Sequence, residues 1–211
     1  MKTKFIVLTQ QRSGSIWLST ILNEHAFITL LPEIFQYTRR DESGFYNGVD
    51  DIEMFINNTY DSQKNSAVGF KLMFDQVVKY PSIINILKKN NVKIIRLKRN
   101  NLLDVYISNM VSIKNDLWAA KSDKDIVKLN QVEIDVEQLI KSLDELRHVS
   151  DKLDLFSSDF DSIKLVYEKF SCDLNYITPV YDFLSVDVPE FISKGKTKKI
   201  VKNRSDLVSN W

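Results

Sequence analysis

Short apolar runs alternate along the chain with apolar residues at helical spacing. Four runs bounded by polar or turn residues predict buried strands, at residues 5–8, 67–73, 92–97 and 162–167. Helical periodicity predicts helices after residue 16, around 52–56, from Pro81 onward and across 102–111. This alternation predicts an α/β fold, a three-layer sandwich with a central parallel sheet flanked by helices.

The second half of the chain is predicted to be more helical. Residues 136–153 keep a 3.6-residue apolar period and predict a long amphipathic helix. Residues 176–184 predict a helical element interrupted at Pro179, and residues 203–211 predict a short closing helix. The length of 211 residues, without repeats or a flexible linker, predicts a single domain over 1–211.

Composition excludes several classes of protein. A net charge of +1 argues against a nucleic-acid binder. The single cysteine, Cys172, and two distant histidines argue against an intrachain disulfide, a cysteine metal cluster and a zinc enzyme. The apolar run at 5–8 is too short for a membrane span. We therefore expect a cytoplasmic protein with no metal, and composition says nothing about its oligomeric state.

The polar turn after the first predicted strand has the composition of an anion-binding loop. Apolar residues 5–8 are followed by the sequence TQQRSGS and then by a helix. The N-terminus of such a helix directs free backbone N–H groups and a positive dipole end at a ligand. Gly14 permits close approach, Ser13 and Ser15 offer hydroxyls, and Arg12 adds a permanent charge. The alternative is an ordinary turn with a surface arginine.

The residues that this loop lacks distinguish it from two other kinds of phosphate-binding loop. A nucleotide-triphosphatase loop has the form G-x-x-x-x-G-K-[ST], but this loop lacks the first glycine and the lysine–hydroxyl pair. No dinucleotide-binding G-x-G-x-x-G follows a predicted strand.

A second candidate anion site follows the third predicted strand. Arg99 stands just past residues 92–97, and Ser108 follows it by nine positions within the next predicted helix. An arginine at a strand exit and a serine two helical turns later can converge on one phosphate, if the helix folds back along the sheet. An exposed arginine and a helix-surface serine is the alternative.

These two motifs, in this order, resemble those of sulfotransferases that use 3′-phosphoadenosine 5′-phosphosulfate (PAPS), a family with a P-loop-like fold. QRSGSIWL resembles the 5′-phosphosulfate loop, which implies cofactor binding by residues 12–17, Ile16 and Trp17 included. Arg99 and Ser108 resemble the 3′-phosphate motif. The RSGS form and the spacing of nine are similar to a bacterial, carbohydrate-type branch that includes trehalose and nodulation-factor sulfotransferases.

The same branch carries P-E-x-F after the first helix, which Pro32–Phe35 resembles. The resemblance implies that Glu33 is the catalytic base. A hydroxyl that attacks sulfur needs a base on the side opposite the leaving phosphate. A surface glutamate after a proline is the alternative, and His25 and the acidic pair Asp41–Glu42 are the next candidate bases.

The C-terminal stretch is basic, with six Lys or Arg and no acidic residue between 193 and 204. Its Lys194-Gly195-Lys196 is similar to the basic C-terminal loop that closes over the nucleotide in sulfotransferases, which implies that Lys194 and Lys196 bind cofactor. It departs from the family's R-K-G form, and a solvated tail is the alternative.

The sequence thus predicts a PAPS-dependent sulfotransferase that leaves 3′,5′-ADP as product. Arg12 and Glu33 would be catalytic, and the acceptor would be a hydroxyl of a carbohydrate or another small metabolite. Residues 37–66 and 112–131 are the candidate acceptor-facing regions. A P-loop nucleotide kinase and a non-catalytic nucleotide-binding protein are the alternatives.

Overall fold

The computed structural model describes residues 2–36, 42–48, 50–120, 122–126, 129–197, 199–201 and 203–211. The strands of this part are β1 (Thr3–Thr9), β2 (Ile28–Leu31), β3 (Ala67–Met73), β4 (Lys93–Lys98) and β5 (Ser162–Val166). Its α-helices are α1 (Ser15–Leu22), α2 (Ile52–Asp61), α3 (Phe74–Lys79), α4 (Ile83–Lys89), α5 (Leu102–Asn115), α6 (Val136–Ser158), α7 (Tyr167–Cys172) and α8 (Thr178–Phe183). Short 3₁₀ turns occupy Asp123–Ile126 and Leu174–Ile177.

The five strands form one parallel sheet in the order β2-β3-β1-β4-β5. This confirms the predicted α/β fold with a central parallel sheet flanked by helices. The strand β2 was not predicted, because its four residues form an edge that pairs only with β3. So short a run carries little periodicity.

Alternate residues of the central strands point to opposite faces of the sheet, and each face is covered. On one face, Ile6, Leu8 and Ile94 join a cluster with residues of α2, α4 and α6. On the other face, Phe5 and Val7 pack with residues of α1, α7 and α8. Burial on both faces explains why residues 5–8 of β1 are all apolar.

The strand order reverses between β1 and β4. From β1 the chain continues to β2 and β3 on one side of the sheet, whereas from β4 it continues to β5 on the other. The loops that leave β1 and β4 therefore diverge at the carboxyl edge of the sheet. In open α/β sheets this reversal point is where ligands bind.

Two predicted details of the second half were wrong. Residues 203–211 do not form a helix, because they turn and pair through Val208 with Val132. The apolar Leu207 is buried there against residues of α5 rather than on a helix face of its own. Pro179 does not interrupt a helix either, since it lies in the first turn of α8, where its missing N–H costs no hydrogen bond.

A buried ionic network fastens α6 to the sheet. Arg96 of β4 is only 1% exposed and donates from Nε to Asp154 (2.9 Å) and from its Nη2 to the Ser150 carbonyl (3.2 Å). Lys98 and Lys164 contact the other Asp154 oxygen at 3.0 and 2.9 Å. Burial alone would raise the pKa of Asp154, but the Lys164 and Lys98 hydrogen bonds and the charge of Arg96 outweigh it, so this pKa lies below its usual range.

We expect Asp154→Ala to lower the free energy of unfolding by about 1–3 kcal/mol, because a buried Arg96 donor loses its charged partner. The lowered pKa of Asp154 means that its contribution is present above the ordinary aspartate pKa and is lost as the pH falls through the folded value. Urea titrations at neutral and acid pH measure both effects. Asp144→Ala is the control, because Asp144 pairs with Arg147 where both side chains are about two-thirds exposed. Equal losses in the two variants would contradict the prediction.

No helix among the described residues combines the length and apolar character that crossing a membrane requires.

Candidate active site

The loop between β1 and α1 is shaped by two left-handed residues. Gly14, at the N-cap of α1, has φ 91° and Arg12 has φ 60°. A Cβ on Gly14 would lie 2.5 Å from the Tyr167 ring. Glycine is therefore required here both by the positive φ and by the lack of space for a side chain. A positive φ is uncommon for arginine and is typical of backbone held for function. The first N–H groups of α1 face the carboxyl edge of the sheet.

Ser13 supports this loop from beneath. Its side chain is fully buried, and its Oγ lies 2.6 Å from the Thr9 hydroxyl. The Thr9 hydroxyl also donates to the Leu97 carbonyl at 2.9 Å. Thr9 therefore ties the end of β1 to the end of β4, and Ser13 fastens the loop to Thr9. Among the described contacts the Ser13 hydroxyl has this structural role, and Ser13 does not line the cleft.

The loop after β4 spans only three residues before α5 begins. Asn101 caps α5 by accepting the N–H of Asp104 at 3.1 Å. The Asp104 carboxylate in turn accepts from Arg99 at 3.2 Å and from Arg204 of the C-terminal segment at 2.9 Å. Arg99 is thus anchored at its strand exit and is only 8% exposed.

The two loops meet through their arginines. Arg12 donates from Nε to the Ser108 hydroxyl at 3.0 Å and from Nη1 to the Trp118 carbonyl at 2.7 Å. Arg99 donates to the backbone carbonyl of Arg12 at 3.0 Å. Arg12, Arg99 and Ser108, which the sequence predicted as parts of two phosphate sites, therefore lie together in the structure.

The electrostatics of this meeting point favour an anion. Burial, followed by the like charge of Arg99, lowers the pKa of Arg12 to about 10, so Arg12 stays charged at neutral pH. Arg99 Nε is buried and has no hydrogen-bond partner among the described residues. Two neighbouring cations and an unpaired buried donor are stabilised when a phosphate or sulfate lies between them.

A cleft of about 470 Å³ opens at this point. Eight of the predicted cofactor-binding residues line it, namely Arg12, Gly14, Ser15, Ile16, Trp17, Arg99, Ser108 and Lys194. Its aromatic wall consists of Trp17, which stacks on Phe170 with ring centroids 4.8 Å apart, and Tyr167, whose ring lies 4.6 Å from the Arg99 guanidinium. Cations beside aromatic rings suit a ligand that combines phosphates with a flat base.

The C-terminal segment lies along α1 at the rim of the cleft. The Trp17 indole donates to the Lys194 carbonyl at 2.7 Å, and Gly195 packs against the same ring. Lys194 lines the cleft, whereas Lys196 is directed away from it and pairs with Glu24 at 2.6 Å. The described contacts therefore do not bring Lys196 to the cofactor-binding residues. Lys198 and Lys202 of the basic stretch lie outside the described residues.

Glu33 lies apart from the cleft, past the end of β2. Its carboxylate is 3.5 Å from Lys71 Nζ and 3.5 Å from Gln76 Nε2, and a quarter of its side chain is exposed. Because β3 separates β2 from β1, the strands that lead to Glu33 and to the first loop are about 10 Å apart at the usual strand spacing of ~4.8 Å. Both candidate catalytic residues thus occupy one edge of the sheet, with a gap between them.

Of the other candidate bases, His25 is less favourably placed. His25 precedes β2 and follows the C-terminus of α1, which puts it at the amino edge, opposite the cleft. Asp41 lies outside the described residues.

Sequence reasoning missed several cleft residues. Trp118, Tyr167 and Lys199 line the cleft, and so does Asp104, which joins Arg99 to Arg204 of the C-terminal segment. Tyr167 could have been found, because it is the last residue of the fourth predicted strand, at the same sheet edge as the two loops. Trp118 falls within the range 112–131 that was predicted to face the acceptor.

The site as a whole can hold a polyanion next to a hydroxyl-bearing molecule. Among the described residues, no group of three or more His, Cys, Asp or Glu is placed to hold a metal ion. Charge that develops on a transferred group would be met by Arg12 and by the N–H groups that open α1.

Comparisons with known proteins identify the family of the chain and a similar fold. The family model described as the sulfotransferase domain matches residues 2–203. A sulfotransferase from Alicyclobacillus acidocaldarius has a similar fold, with a TM-score of 0.55 and 15% identity over 92% of this chain and 85% of that one. A mouse sulfotransferase complexed with PAP has a TM-score of 0.49 and 18% identity over 90% of this chain and 61% of that one. No curated protein sequence matches the chain. The match to the family model over almost the whole length shows that the chain belongs to the sulfotransferase family, whose enzymes use PAPS.

Proposed function

We propose that the chain transfers the sulfuryl group of PAPS to a hydroxyl of a carbohydrate or another small metabolite, by in-line displacement. The observation that carries this proposal is the meeting of Arg12, Arg99 and Ser108 in one cleft at the reversal point of the sheet. Each residue was expected to bind one end of the same nucleotide, and contact between residues assigned to opposite ends supports a single nucleotide site.

The residues present fit PAPS. The unpaired Arg99 Nε suits a 3′-phosphate, and Gly14, which lacks a side chain, lets the Tyr167 ring pack against the first loop at the cleft. We assign Arg99 and Ser108 to the 3′-phosphate, residues 12–15 to the 5′ end, and the aromatic wall of Trp17 and Tyr167 to the base. Lys194 would contribute charge at the rim.

In the proposed chemistry, Glu33 past β2 and Arg12 at the start of α1 have different roles. Bound PAPS supplies the sulfuryl group. Glu33 accepts the proton of the acceptor hydroxyl, which would occupy the gap between Glu33 and the first loop. Arg12 and the N–H groups at the start of α1 stabilise negative charge on the sulfuryl oxygens and the leaving phosphate. A sulfuryl group carries less charge than a terminal phosphoryl group, so arginine and N–H donors suffice in this scheme.

We further propose that the chain belongs to the bacterial carbohydrate-type branch. Support comes from the RSGS form of the loop, the nine-position spacing of Arg99 and Ser108, and Glu33 after Pro32. Trp118, exposed at the cleft mouth and bound through its carbonyl to Arg12, is a candidate contact for the acceptor. The lone cysteine favours a reducing compartment, and the cytoplasm stays our prediction for it.

We expect the protein to bind 3′,5′-ADP at least about thirtyfold more tightly than ADP, because a charged contact to a buried group contributes roughly 2–5 kcal/mol. Arg99→Ala is expected to abolish this preference. Isothermal titration of the wild type and of Arg99→Ala with 3′,5′-ADP, ADP, PAPS and ATP measures this preference. Arg147→Ala, on the exposed face of α6, is the control. Equal affinity of the wild type for 3′,5′-ADP and ADP would overturn the assignment.

The same titrations, together with a turnover assay, test the alternatives. A nucleotide kinase would bind ATP more tightly than PAPS. A non-catalytic nucleotide-binding protein would bind 3′,5′-ADP without turning over PAPS on any hydroxyl acceptor in a panel of sugars and phenols.

A further inference from the structure

A carboxylate outside the cleft holds the loop that carries Arg99. Glu168 stands in the first turn of α7, directly after β5. Its two oxygens accept the backbone N–H groups of Asn100 at 3.1 Å and Asn101 at 2.9 Å. These are the two residues that follow Arg99, and they make up the rest of the loop between β4 and α5.

This pair of hydrogen bonds fixes the direction in which Arg99 leaves its strand. Consecutive N–H groups that point to one carboxylate constrain the peptide planes on both sides of Asn100. Bonds of this charge-assisted kind are roughly twice as strong as neutral ones. The loop is only three residues long, so a shift of its peptides would move the Arg99 side chain as well.

The constraint extends to the first loop. Arg99 donates to the Arg12 carbonyl at 3.0 Å, and Arg12 is the residue with the unusual positive φ. Next to Glu168, the ring of Tyr167 packs against both Gly14 and Arg99. The first two residues of α7 therefore contact the anion-binding loops. Glu168 binds the backbone of the loop after β4, and the Tyr167 ring packs against both loops.

We propose that Glu168 is a positioning residue for recognition of the 3′-phosphate. It touches no part of the cleft itself, and it acts by holding Asn100 and Asn101 so that the Arg99 guanidinium faces the ligand. This inference rests on the proposed function, since it takes the anion that Arg99 recognises to be the 3′-phosphate of an adenosine 3′,5′-bisphosphate.

The test is Glu168→Gln, which preserves size. A glutamine oxygen can accept one of the two N–H groups, but its NH₂ is a donor that then faces the other N–H. We expect 3′,5′-ADP to bind about tenfold more weakly, as for one lost charged hydrogen bond. ADP affinity is expected to change less than about twofold, because ADP lacks the group that Arg99 reads. Isothermal titration gives both constants, with Glu145→Gln on the exposed surface of α6 as the matched control.

A second measurement does not depend on any ligand. Amide hydrogen exchange of the free protein is expected to be faster at Asn100 and Asn101 in Glu168→Gln than in the wild type. Faster exchange with an unchanged ratio of the two nucleotide affinities would reduce Glu168 to a structural residue and overturn the inference. Unchanged exchange would overturn it at its first step.

These outcomes separate the inference from the proposed function. A wild type that does not prefer 3′,5′-ADP to ADP contradicts the proposed function. A wild type that has this preference, and keeps it in Glu168→Gln, contradicts the role of Glu168 alone.

Discussion

Replacing Arg12 by alanine is expected to lower turnover by roughly 10²- to 10³-fold, the usual effect of removing one preorganised donor from developing charge. The Arg12 side chain is partly buried and lies beside a second arginine, and burial and that like charge lower its pKa. Its charge is needed most when negative charge moves to the leaving phosphate. We therefore expect 3′,5′-ADP binding to weaken much less than turnover falls, as measured by steady-state assay and titration.

Arg12→Lys provides a sharper version of this test. A lysine retains the point charge but not the fork of donors that reaches Ser108 and the Trp118 carbonyl, so partial activity is expected. Burial and the neighbouring Arg99 lower the pKa of any cation at this position, and lysine begins from a lower value than arginine. The variant should therefore lose its remaining activity at a lower alkaline pH than the wild type.

Arg147→Ala is the control for both variants, because Arg147 pairs only with Asp144 on the exposed face of α6 among the contacts of the described residues. Full turnover in Arg12→Ala would remove Arg12 from the proposed mechanism. Parallel pH profiles for Arg12→Lys and the wild type would show that the charge at this position is not what turnover requires.

The sequence predicted the parts of the site that local patterns encode. The loop after β1 and the arginine after β4 each follow an apolar run that is buried on both faces. Because carboxyl ends of parallel strands share one edge, these residues could be expected to meet before any contact was known. The contacts bring Arg12, Arg99 and Ser108 together, and the direct bond from Arg12 to Ser108 was not predicted.

Long-range contacts account for what the sequence did not predict. The edge strand β2 is defined by its pairing with β3, and the turn at residues 203–211 is defined by the bridge between Val132 and Val208. The direction of Lys196 depends on Glu24, which is 172 positions away in the chain. Spacing along the sequence carries no information about any of these partners.

The role of Glu168 illustrates the same limit. Its residue type and position suggest only a surface carboxylate at the start of a short helix. Its partners are backbone N–H groups 67 and 68 positions away, which have no signature in the sequence. Only the order of strands in the sheet, with β4 next to β5, brings them together.

Glu33→Gln is expected to lower turnover by about a hundred- to ten-thousandfold, the usual contribution of a general base. Glutamine preserves the shape of the side chain and removes its basicity. Glu33 follows Pro32, which fixes its own φ and stiffens the turn, and Lys71 and Gln76 hold the carboxylate from the sheet side. Because Glu33 lies beyond β3 and does not line the nucleotide cleft, 3′,5′-ADP affinity is expected to stay within about twofold of the wild type, a change well below that of one hydrogen bond.

The comparison of turnover with nucleotide affinity decides the role of Glu33, with Glu145→Gln again as the surface control. A loss of turnover at constant affinity supports the base assignment, because a general base acts on the acceptor hydroxyl and not on the nucleotide. Weaker binding of 3′,5′-ADP would make Glu33 a structural residue that supports the cleft through Lys71. Full activity would assign the base elsewhere. His25 lies at the opposite edge of the sheet, so the acidic pair Asp41–Glu42 would then be the next to be replaced.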